Sequence, residues 1–178
     1  PLSMMCTALA LLFGIGGASC FNLAMGEGRK EQAPFYIGNS VSMLFGSGVV
    51  LLIISELFLD PMLQIFGSPA DVLPYARDYV LVSGLGFPFL ILMIGGGHLM
   101  RADGSPKMAM ICNLSGAILN IFLDALFVMG FGWGMKGAAA ATIIGQIISA
   151  VVVIAYMTRF KTVKLEWRHL VPHRQYLG

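Results

Sequence analysis

Five stretches of this chain run for about twenty residues each with little or no charge: roughly residues 2–25, 36–58, 79–100, 108–131 and 136–158. A helix of that length is about 30 Å long, the thickness of a bilayer's hydrocarbon core. Inside hydrocarbon every backbone N–H and C=O must be satisfied within the protein, which leaves helices and closed barrels. Runs this long and this continuously apolar are helices. The sequence therefore predicts an all-α, polytopic membrane bundle of five transmembrane helices. Charged residues make up 11% of the 178, against about 25% in soluble domains. The 22 glycines suit helices that pack closely in lipid, where small residues let backbones approach.

The connectors set an orientation. Arg29 and Lys30 lie in the first connector and Arg101 and Lys107 in the third, while Arg159, Lys161, Lys164, Arg168 and Arg174 lie after the last span. Alternating spans put all nine on one side, leaving only Arg77 and Lys136 on the other. The positive-inside rule makes the nine-residue side cytoplasmic, with Pro1 outside and Gly178 inside. Residues 1–158 read as the bundle and 159–178 as a basic cytoplasmic linker. The second connector, with Pro61, Gly67, Pro69 and Pro74, reads as a turn-rich outer loop, and Pro88 predicts a kink in the third span. The chain opens on Pro1 with no charged leader, so it reads as an internal piece of something longer. Cys6, Cys20 and Cys112 fall within apolar runs and read as free, buried thiols.

One charge breaks the pattern. Asp124, in "LNIFLDALFVMG", is the only charge between Met108 and Gly134. A carboxylate at mid-bilayer costs about 2.5 to 3.5 kcal/mol on insertion scales. The fourth and fifth spans form a hairpin turning near Trp133, nine residues after Asp124 and nine before Thr142. Both therefore sit at about 13 Å from the turn. Asn120 lies one helical turn from Asp124 on the same face. Ala138, Thr142, Gly145 and Ser149 form a small and polar stripe on the opposing helix, and Tyr79, opening the third span from outside, brings a phenol within reach of that layer. A carboxyl there can take up and release a proton. Carboxylate, amide and hydroxyl oxygens also suit a hard cation such as sodium, bound by Asp124, Asn120 and Thr142. The plainer alternative is a carboxyl that caps a broken helix or makes an interhelical hydrogen bond.

Other motifs carry less. "GWGMKG", residues 132–137, matches the glycine pattern of dinucleotide-binding turns, but no strand precedes it. His98, His169 and His173 lack paired metal-ligand spacing. Glu56, ending the second span, reads as hydrated at the outer surface. Met4, Met5, Met43, Met93 and Met108 suit either packing and lipid contact or adaptable binding of apolar molecules. The basic tail favours anionic headgroups of the cytoplasmic leaflet.

Several segments resemble one family. "GASCFNLAMGEGRKEQA", "YVLVSGLGFPF", "LMRADGSPKMAM" and "NIFLDALFVMGFGWGMKGAAAATIIGQ" are similar, in order, to parts of the first lobe of multidrug and toxic compound extrusion (MATE) transporters. The closest likeness is to the bacterial branch with DinF-like and MepA-like members. The resemblance implies two six-helix lobes, of which this chain is the first without its opening helix, with 159–178 leading to a missing second lobe. It implies a cell-membrane antiporter that exports drug-like molecules, coupled to protons or sodium, with no other cofactor and no nucleic-acid partner. It places the cation site at Asp124, Asn120, Thr142 and the Ala138 carbonyl, with Tyr79 hydrogen-bonded to them, and a further aspartate on the absent first helix. Relatives usually read Asp-Pro where this chain has Asp124-Ala125, a departure that predicts a locally straighter helix. Rival readings are a lipid-linked oligosaccharide flippase, which calls for basic residues deep in its spans, an intramembrane enzyme, which calls for a second catalytic group at matching depth, and a membrane scaffold.

Overall fold

The computed structural model describes residues 2–59, 61, 73–165 and 169–170. Pro1, the loop residues Gly67 and Pro69, and Arg168, His173, Arg174 and Gly178 of the tail lie outside them. Helices dominate and no strand occurs among the described residues. They are α1 (Leu2–Gly26), α2 (Ala33–Leu57), α3 (Leu73–Gly84), α4 (Phe87–Ala102), α5 (Pro106–Asp124), continued by a π-helical turn (Ala125–Gly130), and α6 (Gly134–Met157). The spans at α1, α2, α5 with its π turn, and α6 are each long and apolar enough to cross a membrane.

The third span differs from its expectation. It starts at Leu73 rather than Tyr79, so Pro74 belongs to a helix and not to the loop, and it breaks at residues 85–86 into α3 and α4. Pro88 stands in the first turn of α4, where a missing N–H costs nothing because that group has no intrahelical partner. The expected kink is therefore a full break with a new helix start.

Packing follows glycine. α4 is the central helix and touches α1, α2, α5 and α6. A Cβ on Gly14 of α1 would lie 2.6 Å from the Gly95 Cα on α4, so these two helices meet backbone to backbone. The adjoining face of α4 seats Gly96 against Val153 of α6. On α1 the buried residues Cys6, Ala10, Gly14 and Ala18 recur every four positions, a narrow stripe of small side chains that makes this approach possible. Large apolar residues such as Leu12, Leu23, Val50, Ile121, Phe122 and Val151 are exposed around the bundle. Such a surface belongs in hydrocarbon, not water.

Asp103, in the α4–α5 loop and only 5% exposed, ties the end of α4 to the chain after α6. Its carboxylate accepts from Tyr156 Oη at 2.6 Å, from the Lys161 amide at 2.8 Å, and from the Thr162 amide at 2.9 Å and hydroxyl. The chain after α6 thus folds back on the bundle: Phe160 packs edge-on to Phe21, and His169 is buried edge-on to Phe35.

Candidate functional site

The hairpin of α5 and α6 builds the site. Gly116 and Gly145 face each other closely enough that a Cβ on Gly145 would lie 2.9 Å from the Gly116 carbonyl oxygen and 3.3 Å from Asn120 Cβ. One turn further from the hairpin loop, Cys112 Sγ donates to the Ser149 carbonyl and Ser149 Oγ to the Cys112 carbonyl, both at 3.1 Å. That layer is buried and fully paired, and it closes the inner side of the site. At the other end, the rings of Phe127, Phe131 and Trp133 cluster with centroids 5.3 to 6.1 Å apart, Phe127 stacking on both of the others. The turn between them uses Gly132 and Gly134 at φ of 67° and 55°, a region that favours glycine.

Between these layers Asn120 Nδ2 donates to Thr142 Oγ1 at 3.4 Å, and Thr142 Oγ1 donates to the Ala138 carbonyl at 2.9 Å. Asp124 is not level with Thr142 as its spacing from Trp133 implies: Thr142 meets Asn120, and Asp124 stands one turn nearer the hairpin loop, its Oδ1 buried with no hydrogen-bond partner. The helix does not straighten after it. α5 ends at Asp124 and the π-helical turn begins at Ala125, so the ladder is distorted here without a proline. π turns are uncommon and cluster at functional sites. Tyr79 is 36% exposed and makes no hydrogen bond to this group among the described residues.

Two residues that the sequence does not single out lie at the α3–α4 break. Gln146 Oε1 and Ser83 Oγ are also buried without partners. Gln146 lies one turn beyond Thr142 on α6 and fills the space left by the missing side chain of Gly86, at the α3–α4 break. Its sequence signal was the four-residue spacing from Thr142 along the polar stripe.

This chain matches the family model described as MatE over residues 1–126. It belongs to the MatE family. The chain is 28% identical over 173 residues to the multidrug export protein MepA of Staphylococcus haemolyticus, covering 97% of this chain and 38% of that protein. It is 27% identical over 179 residues to the MepA of Staphylococcus aureus, covering 40% of it. Solved structures of a multidrug resistance MATE family transporter in outward-facing and inward-facing conformations both superpose with a TM-score of 0.90 at 26% identity, covering 99% of this chain and 40% and 41% of theirs. These relatives are named exporters and transporters, not enzymes. The MatE segment described here spans about two fifths of their length. The segment fits the outward-facing and the inward-facing structure equally well.

Proposed function

We propose that this segment is the first-lobe part of a cation-coupled multidrug exporter in the cell membrane, with its ion site at Asp124. The observation that carries the reading is Asp124 itself: a buried, unpartnered carboxylate oxygen beside the Asn120–Thr142–Ala138 chain, at the start of a π turn. An ionised carboxylate in hydrocarbon is costly, so a proton or sodium ion lowers its energy most where no other partner exists. Binding drives alternation only if the ion is held with different affinity in the two states. The π turn and the long Asn120–Thr142 bond are the parts of the hairpin with least intrahelical restraint, and they change most easily as the ion arrives or leaves. The remainder of the lobe then moves as one body, in keeping with the equal fit to both conformations of a relative.

The test uses everted membrane vesicles from cells expressing the full-length protein that contains this segment. A fluorescent lipophilic cation should accumulate when a proton or sodium gradient is imposed and stop when an ionophore collapses it. Accumulation that continues at the same rate without any ion gradient would contradict the proposal.

A further inference from the structure

We infer that the chain after α6 is a fixed strap of the bundle, fastened by Asp103, and that the moving joint of the full-length transporter lies beyond Leu170. This rests on the functional reading above only in taking the whole protein to move during export. By sequence, residues 159–178 read as one basic linker. The structure attaches the described part of it to α1, α6, the α4–α5 loop and α2. Phe160 is 7% exposed and packs edge-on to Phe21 of α1 and to Tyr156 of α6. Lys161 and Thr162 donate their backbone amides to the Asp103 carboxylate. His169 lies edge-on to Phe35 at the start of α2, with ring centroids 4.6 Å apart. The Leu170 carbonyl accepts from the Ser42 hydroxyl further along α2.

Two features make this attachment costly to undo. A carboxylate offers about four lone-pair sites, and at Asp103 the donors are Tyr156 Oη, the two strap amides and the Thr162 hydroxyl. Hydrogen bonds to a charged acceptor are about twice as strong as neutral ones. Lifting the strap would take all of these donors but Tyr156 away from a carboxylate that is 5% exposed, and a buried charge stripped of its partners is strongly unfavourable. The second feature is Gly38. A Cβ there would lie 1.9 Å from the His169 carbonyl oxygen, so the strap backbone reaches α2 only over a residue without a side chain. A joint needs residues that can swing, and those from Phe160 to Thr162 and at His169 and Leu170 are held by separate elements of the bundle. Movement of a second body relative to this one is therefore taken up after them.

The experiment replaces the clasp by a covalent bond in the full-length protein, freed of its other cysteines and reconstituted in proteoliposomes. Asp103 and Thr162 side chains touch, so Asp103→Cys with Thr162→Cys brings two thiols within bonding reach. Reduced, this pair should export a fluorescent drug about threefold or more slowly than the parent; oxidised to the disulfide, it should regain the parental rate. Phe35→Cys with His169→Cys, bridged by a short bifunctional thiol reagent, should export equally well bridged and unbridged. Spin labels at Lys107 and Lys164, both exposed and outside the clasp, should report one distance that neither sodium, pH nor drug changes and that Asp103→Ala broadens. A disulfide or bridge that stops export would show that the strap opens, and overturn the inference. A reduced pair exporting at the parental rate, or a label distance that moves with ion or drug, would overturn it too. If the Asp103 and Thr162 pair does not fold, the bridge to Phe35 and the label distance decide with the clasp intact. A parent whose export ignores every ion gradient would sink the exporter reading alone, and the label distance would still test the strap.

Discussion

Replacing Gly145 by alanine should loosen the α5–α6 hairpin and weaken the site without touching a polar atom. The added Cβ would lie 2.9 Å from the Gly116 carbonyl oxygen, where ordinary contact begins at 3.4 Å, so the helices must part by about half an ångström. The Asn120–Thr142 bond beside it is already 3.4 Å long, at the limit for a hydrogen bond, and should open. Overpacking costs about 1 to 3 kcal/mol and the lost bond about 1 kcal/mol. The better helix propensity of alanine returns about 1 kcal/mol, leaving a net loss of about 1 to 3 kcal/mol. For a domain of this size that corresponds to a fall in unfolding temperature of roughly 2 to 12 °C. A thiol-reactive dye reports it directly, since Cys112 is buried in the adjacent layer. Gly46→Ala, with nothing within 4 Å of the new methyl, serves as control and should unfold no earlier than the parent. Equal unfolding temperatures for the two variants would refute the close approach of α5 and α6.

Asp103→Ala should release the segment after α6, leaving the Tyr156 hydroxyl and two backbone amides without their acceptor. We expect a loss of about 3 kcal/mol or more and new protease cleavage between Thr158 and Leu165; Tyr156→Phe should cost about 1 to 2 kcal/mol and leave the segment protected. The orientation is checked by impermeant maleimide: Lys136→Cys should label in intact cells, and Lys107→Cys only after the cells are opened. Labelling in the reverse order would invert the topology. Drug export should require the full-length protein, so cells expressing residues 1–178 alone should extrude a fluorescent substrate no faster than cells without it.

Membrane spans are legible in sequence because hydrocarbon forbids charge over about twenty residues, and four of the five lie within a few residues of where the structure has them. The hairpin was legible but its register was not. Counting from Trp133 makes Asp124 level with Thr142, whereas Thr142 meets Asn120. That centres the hairpin on Phe131, because the π turn and the glycine turn after it do not advance like regular helix. The start of the third span was hidden because its outer turns carry Pro74, Arg77 and Asp78 and do not look apolar. Pro88 marks a disturbance, but proline signals a kink and a helix start alike, and only the break at residues 85–86 shows which. Ala125 gives no hint of a π turn. Asp103 sits in a loop with Arg101 and Lys107 and reads as a solvated charge, until residues 160–162 fold back to surround it. Gln146 reads as one more residue of an apolar helix, because nothing in the sequence shows that Gly86 of the α3–α4 break lies beside it.

The central claim is that Asp124 holds the coupling ion. In the full-length protein, Asp124→Asn keeps the size of the side chain and removes the charge, and an amide is easier to place in the membrane than a carboxylate. Expression and unfolding temperature should be equal to the parent's or higher, while gradient-driven export of a fluorescent cation from everted vesicles should fall to the level of vesicles without the protein. Export at the parental rate, with the parental dependence on the ion gradient, would show that Asp124 is a packing residue and that the coupling ion is held elsewhere.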